Sequence, residues 1–318
     1  MTKTQNNEHL SKESFLERIS RMYYVLEMSQ QEICEQLNIG RSSVARFLSE
    51  ARERGIVQFQ IRSDLDGCRH TDLESQLMKR FKMKDCVIFR SDESGTSFEV
   101  LASQYLNSIL PTHGSIGLGW GKTLHAVGTQ MHLCDPRPGL KVIQLSGGSG
   151  AKEELVPAAT VIQLWAQSLR CRPILLPAPA IAVNVEVKNS FLQDPSIQEI
   201  VSEIKKIDAA VVGIGHTGED ATIITSNLVP GLGSQALSAS SVGDLIFHFY
   251  NEKGVFSEPS LSSRVVGATP EEFQQIELRI GVAHGVSKKK AIQGALQGQL
   301  IHVLITTEET ARELLATE

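Results

Sequence analysis

The chain has 318 residues, 41% of them hydrophobic and 21% charged, which excludes disordered, collagenous and coiled-coil classes and suggests about two domains. Aromatics are only 5% against 25 Gly, a composition that favours close-packed α/β layers over an aromatic-rich sandwich. The net charge of −5, taken over the whole chain, disfavours a nucleic-acid partner, so its distribution has to be read domain by domain.

The polar N-terminus MTKTQNNEHLSKES is no signal peptide. No apolar stretch approaches the ~18 residues a membrane span needs. Cys34, Cys68, Cys86, Cys134 and Cys171 form no C-x-x-C pair and join no His cluster. Reduced thiols in a cytoplasmic protein without metal are the expectation.

Phe15, Ile19, Met22, Tyr23 and Leu26 recur at helical spacing. Ser29-Gln-Gln-Glu32 is a capping box opening a second helix, with Ile33 and Leu37 on one face. After the turn Asn38-Ile39-Gly40, a third helix runs to Arg54 with Val44, Phe47, Leu48 and Ala51 inward. Gly55 suits the left-handed position beyond its end. Residues 56–61 alternate apolar and polar like a short strand. Helix, glycine turn, helix and strand make a winged helix-turn-helix over residues 1–63. Arg41, Ser42, Ser43 and Arg46 occupy the outward, N-terminal part of the third helix, the part that reaches base edges in this motif. Gln30 and Gln31, opening the second helix, complete the candidate DNA contacts.

Residues 1–63 hold 9 Lys+Arg against 8 Asp+Glu, a net of +1, and residues 39–62 alone carry +3. The other 255 residues carry −6. Positive charge therefore sits on the candidate reader, as phosphate contact requires. A helical hairpin for protein contacts is the alternative.

Residues 64–84 read as a polar link with a helical middle at Leu73, Leu77 and Phe81. From residue 85 to 318 strands and helices alternate. Candidate strands are 86–90, 115–119, 141–146, 172–177, 209–215, 244–250, 279–284 and 302–306, and candidate helices include 98–109, 124–131, 156–169, 288–297 and 308–315. That order predicts a Rossmann-like, mostly parallel sheet.

Ligands of such sheets bind in loops beyond the carboxyl ends of strands. Gly117-Leu-Gly119-Trp-Gly121-Lys122-Thr123 is one residue short of a Walker loop, and Leu124 replaces the third glycine of a dinucleotide fingerprint. No nucleotide cofactor is expected. Its free backbone N–H groups, Lys122 and the Thr123 hydroxyl can still hold a phosphate. Ser146-Gly147-Gly148-Ser149-Gly150 and Gly213-Ile-Gly215-His216-Thr-Gly218 are further glycine loops. Each alone fits a steric turn equally well. Asp244 is either a hydroxyl acceptor or a turn carboxylate. Lys288 opens a helix, where a cation opposes the macrodipole and suits an anionic partner; Lys289 and Lys290 read as solvated. His216 lacks an identifiable acid–base partner.

With these motifs in order, the chain resembles the SorC/DeoR-type bacterial transcriptional regulators with a sugar-binding effector domain. The resemblance spans about residues 15–316. It rests on MSQQEICEQLNIGRSSVARFLSEARERGIVQFQI, IGLGWGKTL, LSGGSG, DAAVVGIG, VGDLIFHFYNEKG, LSSRVVG, IGVAHGVSKKKAI and LIHVLITTEETARELL. It implies an effector domain folded like ribose-5-phosphate isomerase and glucosamine-6-phosphate deaminase. It also implies a cytoplasmic homodimer or homotetramer whose operator binding responds to a phosphorylated sugar or polyol. By position, Gly119, Gly121 and Thr123 match the family's phosphate loop, Asp244 its Gly-Asp motif, and Lys288 the lysine after its Ala-Gly-Gly motif. His284 and Ile246 stand where the family usually carries smaller residues, which implies a narrower pocket. PAPA (177–180) and residues 219–224 are similar to the branch sensing phosphorylated polyols or a phosphorylated autoinducer. The expected effector set is Gly119, Gly121, Lys122, Thr123, Ser146, Gly147, Gly148, Asp244 and Lys288, with no catalytic residue. The alternative is a sugar-phosphate isomerase or deaminase fused to a DNA reader.

Overall fold

The computed structural model describes residues 3–57, 67–90, 96–148, 156–225, 237 and 239–316. The chain divides into two compact units, Met1–Asp64 and Leu65–Glu318.

The first unit holds α1 (Lys3–Tyr24), α2 (Gln30–Leu37) and α3 (Arg41–Glu53). The capping box forms: the Ser29 hydroxyl accepts from the Glu32 N–H, and the Glu32 carboxylate accepts from the Ser29 N–H. Asn38 ends α2 in the left-handed conformation, and Gly55 is left-handed after α3. Ile19, Met22, Ile33, Val44 and Leu48 form the buried core, with Phe15 edge-on to Phe47. Leu26, expected inward, is 65% exposed because α1 stops at Tyr24 and the chain turns away. The expected strand at 56–61 lies mostly outside the described residues.

In the second unit α4 (Thr71–Phe81) precedes β1 (Asp85–Phe89), α5 (Phe98–Ile109), β2 (His113–Leu118) and α6 (Lys122–Gln130). Then come β3 (Gly139–Gln144), α7 (Ala158–Ser168), β4 (Arg172–Ile174), α8 (Val185–Gln193) and α9 (Pro195–Ile204). β5 (Ala209–Gly213) and β6 (Gly215–His216) lead to α10 (Thr222–Thr225), followed by β7 (Ser241–Leu245) and β8 (His248–Asn251). The unit closes with α11 (Pro259–Ser262), α12 (Pro270–Gln275), β9 (Leu278–Val282), α13 (Lys289–Gln297), β10 (Val303–Thr307) and α14 (Glu308–Leu315).

Seven strands form one parallel sheet in the order β1-β10-β9-β5-β2-β3-β4. Its strands are apolar on both sides because helices cover both faces. Cys86 and Ile88 of β1 pack on one side with α4, α13 and α14, whereas Val87 and Phe89 pack on the other with α5. The segment expected to be a link is part of this core: Leu73, Leu77 and Phe81 are buried from α4.

The expected strand 244–250 is two strands of a hairpin. β7 pairs antiparallel with β8 and with β6 in a separate three-stranded sheet. The two residues between β7 and β8, Ile246 (φ 47°) and Phe247 (φ 70°), are both left-handed, as a tight type I′ turn demands. That turn normally takes Asn-Gly, so a β-branched and an aromatic residue there cost roughly 1–2 kcal/mol each. The periodicity concealed the reversal because both residues are apolar and buried.

His248 ties the hairpin down: its Nδ1 lies 2.6 Å from the Ser262 hydroxyl and its Nε2 2.9 Å from the Ala268 carbonyl. Burial pushes its pKa down to about 4. Below about pH 6.5 the unfolded chain takes up a proton that the folded imidazole refuses. The stabilisation is therefore complete above pH 6.5 and is lost as pH falls towards 4, by up to about 3 kcal/mol. Urea denaturation of the wild type and His248→Asn at pH 7.5 and 4.5 isolates this contribution. Equal acid-side losses in the two proteins would refute it.

Candidate functional site

The outward surface of α3 and the first turn of α2 bring the candidate DNA contacts onto one unit. Arg41, Ser42 and Arg46 are exposed and Ser43 is half-buried. Neither Arg41 nor Arg46 has an ion-pair partner among the described residues. The Arg46 guanidinium lies 5.3 Å from the Phe47 ring centroid, and the core contact of Phe47 thus steadies an exposed cation. By contrast Arg54 is paired with Glu50 at 2.6 Å. Gln30 is half-buried, and the exposed Gln31 amide donates to Glu35.

The second unit holds a pocket where the chain reverses direction across the parallel sheet. From β2 it runs outward through β3 to β4, then returns to place β5 on the other side of β2. The carboxyl ends of β2, β5 and β9 thereby meet, and their loops diverge to leave a crevice. The cavity is about 240 Å³, a size for a small polar molecule. It is lined by Gly119–Thr123, by Val212–His216, and by Ile223, Asp244, Ile246 and Lys288.

Each wall has a local cause. Gly119 continues the β2 ladder by donating to the Val211 carbonyl at 2.9 Å. Gly121 then adopts φ +123°, conformationally open to glycine, and α6 starts at Lys122 without a side-chain cap. The uncapped N–H groups of that first turn leave a helix terminus for an anion. After β5 the chain leaves the main sheet, and Gly215 pairs with Asp244 across β6 and β7. A Cβ on Gly215 would collide with the Asp244 carboxylate, so the absence of a side chain there makes room for the acid.

The Asp244 carboxyl is 7% exposed and accepts one hydrogen bond, from the Phe247 N–H at 3.3 Å. Burial raises its pKa to about 6, although that N–H and the charge of Lys288 pull the other way. Lys288 is half-buried; burial lowers its pKa and Asp244 opposes the shift. No ion pair within 4 Å joins them or any other described group to Lys288. Burial also lowers the His216 pKa, and the Gly218 N–H donates to His216 Nδ1 at 3.2 Å. The imidazole is therefore neutral with its proton on Nε2. Trp120 stacks on Phe247 with ring centroids 4.9 Å apart and planes 9° apart.

The structure thus gathers Gly119, Gly121, Lys122, Thr123, Asp244 and Lys288, with His216 beside them. Ser146, Gly147 and Gly148 are not in the lining. Gly147 and Gly148 donate to the Val266 and Ala178 carbonyls, and a Cβ on Gly147 would strike the Ala178 and Pro179 backbone. Gly147 thus serves close backbone packing, whereas a Cβ on Gly148 would meet nothing within 4 Å; residues 149 and 150 lie outside the described residues. Ile246 lines the pocket, whereas His284 is not in the lining and packs with its ring centroid 4.6 Å from that of Phe98. Sequence reasoning missed Trp120, Ile223 and Phe247. Trp120 alone carried a signal, as a bulky residue between two glycines. Among the described residues no acidic, His or Cys cluster could hold a metal, and no helix is long and apolar enough to cross a membrane.

A helix-turn-helix reader and a sugar-sized pocket at a sheet switch point define a transcriptional regulator controlled by a small effector. The Sugar-bind family model, a sugar-binding domain, matches residues 67–316. The chain is 31% identical over 316 residues to the transcriptional regulator LsrR of Klebsiella pneumoniae subsp. pneumoniae, covering 96% of this chain and 94% of that one. It is 29% identical to the deoxyribonucleoside regulator of Bacillus subtilis over 93% of this chain and 95% of that one. The full-length sorbitol operon regulator SorC from Klebsiella pneumoniae superposes with a TM-score of 0.69 at 26% identity, covering 96% of this chain and 99% of that one. The chain belongs to the SorC/DeoR-type transcriptional regulators with a sugar-binding domain.

Replacing Gly215 by Ala forces the Asp244 carboxylate out of its seat. Effector affinity is expected to fall by about tenfold or more, ~1.4 kcal/mol, while operator affinity in the absence of effector stays unchanged. Titration calorimetry beside a gel-shift assay measures both, and full-strength effector binding by the Gly215→Ala protein would contradict the seating role.

Proposed function

We propose that Arg41, Ser42, Ser43 and Arg46, with Gln30 and Gln31, read a double-stranded DNA operator, and that the pocket of the second unit takes a phosphorylated sugar or polyol. The carrying observation is the pocket's charge arrangement. An uncapped helix start with Lys122 and Thr123 shares one cavity with Lys288 and a buried carboxylate, none of them neutralised by a direct ion pair among the described residues. A phosphate suits the α6 terminus. Sugar hydroxyls suit Asp244, which in its ionised form only accepts hydrogen bonds. Lys288 offsets the remaining negative charge.

The relatives' names point to sorbitol and deoxyribonucleosides, which supports a polyhydroxylated effector. Those names are of regulators, and no observation favours the isomerase or deaminase alternative. In this reading the protein senses its ligand without turning it over and works in the cytoplasm as a homodimer or homotetramer. The effector prefers one arrangement of subunits, and that arrangement sets the spacing of the reader helices. Half-sites about 34–36 Å apart, or multiples of that, are required for two readers to engage together.

Phosphorylated sugars and polyols are expected to raise the melting temperature, and their dephosphorylated forms are not. Equal shifts from both would remove the phosphate from the reading. Thr123→Ala and Lys288→Ala should each blunt the effector response while leaving operator binding intact; loss of operator binding in both would mark them as structural. Arg46→Ala should weaken specific DNA binding by about 1–3 kcal/mol. Unchanged affinity in a fluorescence-anisotropy titration would remove Arg46 from the reader.

A further inference from the structure

The turn between β7 and β8 is strained, yet both of its side chains are buried, and Phe247 contacts two residues that line the pocket. Ile246 is 4% exposed and lines the cavity. Phe247 is fully buried, and it does two things at once. Its N–H donates to the Asp244 carboxylate, and its ring stacks on Trp120. Asp244 belongs to the small antiparallel sheet, whereas Trp120 belongs to the loop between β2 and the α6 terminus. Phe247 is thus a single residue touching two parts of the cavity lining that come from different elements. A hairpin needing only to reverse would be relieved by Asn-Gly. A bulky pair held in left-handed backbone at a site is a departure that asks for a functional reason.

We propose that Phe247 is a positioning residue that fixes the separation between the phosphate-side loop and Asp244, so that the pocket selects effectors by the length between phosphate and distal hydroxyl. This rests on the phosphate reading of the α6 terminus given above. The stack is planar, Phe247 is buried among Ala221, Ile223, Leu237 and Phe249, and Ile246 is buried in the core of the main sheet, so the span does not adjust to a longer or shorter ligand. A ligand one carbon too short leaves either Lys122 or Asp244 unserved. One carbon too long meets Ile246.

The test uses the full-length protein and four probes that differ by one carbon: glycerol 3-phosphate, erythritol 4-phosphate, ribitol 5-phosphate and glucitol 6-phosphate. Calorimetry should give the wild type one preferred length, with its neighbours weaker by about tenfold or more. Phe247→Leu keeps an apolar side chain in the buried position and removes the stack. It is expected to compress the series to within about threefold. Phe273→Leu, in the core beside Arg279 and away from the pocket, serves as the control for lost stability and should keep the wild-type profile. If Phe247→Leu does not fold, Trp120→Leu breaks the same stack from its half-buried side and should flatten the series likewise.

A wild-type profile in the folded Phe247→Leu protein, or in the Trp120→Leu protein, overturns the positioning role and leaves the pocket reading standing. A flattened profile in Phe273→Leu as well would reduce Phe247 to general stability and also overturn it. If the wild type binds none of the four probes, the phosphate reading itself falls and takes this one with it. The outcomes are distinguishable because only the last appears in the wild type.

Discussion

A buried carboxylate such as Asp244, with no cation in contact among the described residues, is costly, and the pocket wall of the second unit is arranged around that cost. Asp244 keeps its seat through one backbone N–H and through two glycines that make no demand on space. Gly215 leaves the seat open. Gly243, whose Cβ would meet the Tyr250 hydroxyl and Ala291, lets β7 lie against α13. The Tyr250 hydroxyl donates to the Ala291 carbonyl and closes that packing. With the acid so held, Lys288 stabilises it at a distance but does not quench it. The cavity wall thereby keeps a carboxylate and an ammonium that form no direct ion pair with each other.

The position of that acid follows from strand order. Parallel sheets leave their loops on one edge, and the reversal between β2 and β5 opens a crevice there. The pocket needs both the sheet and the departure of β6 from it. Had β5 continued straight into a helix, Asp244 would have lost its pairing with Gly215 and kept only that with β8. Helix α6, behind the glycine loop after β2, is also firmly anchored: the Trp165 indole donates to the Leu124 carbonyl and lies where a Cβ on Gly128 would sit.

Most of the sheet was legible in the residues. Apolar runs separated by helical patterns located its strands, and the glycine loop after β2 marked one wall of the cavity. Ser29 and Glu32 announced the second helix of the reader. What stayed hidden was tertiary. Ile246-Phe247 reads as strand because both are apolar, and only the contacts of Phe247 reveal why a turn tolerates them. Leu73, Leu77 and Phe81 looked like a link because polar residues surround them, yet the interleaved apolar ones face β1 and α14. Gly147 carried the same loop signature as Gly121. Backbone crowding, invisible in the sequence, separates the two: a Cβ on Gly147 would strike the Ala178 and Pro179 backbone, whereas Gly121 is open and lines the cavity.

The three-stranded sheet of β6, β7 and β8 shares no ladder bond with the seven-stranded one. Leu245, Ile246 and Tyr250 nevertheless pack in the same core as Ile88, Ile143 and Val212. The cavity wall at residue 246 is therefore joined to the parallel scaffold by side-chain packing and not by backbone bonding, so a change in that side chain remodels the wall while every ladder bond of the large sheet stays in place.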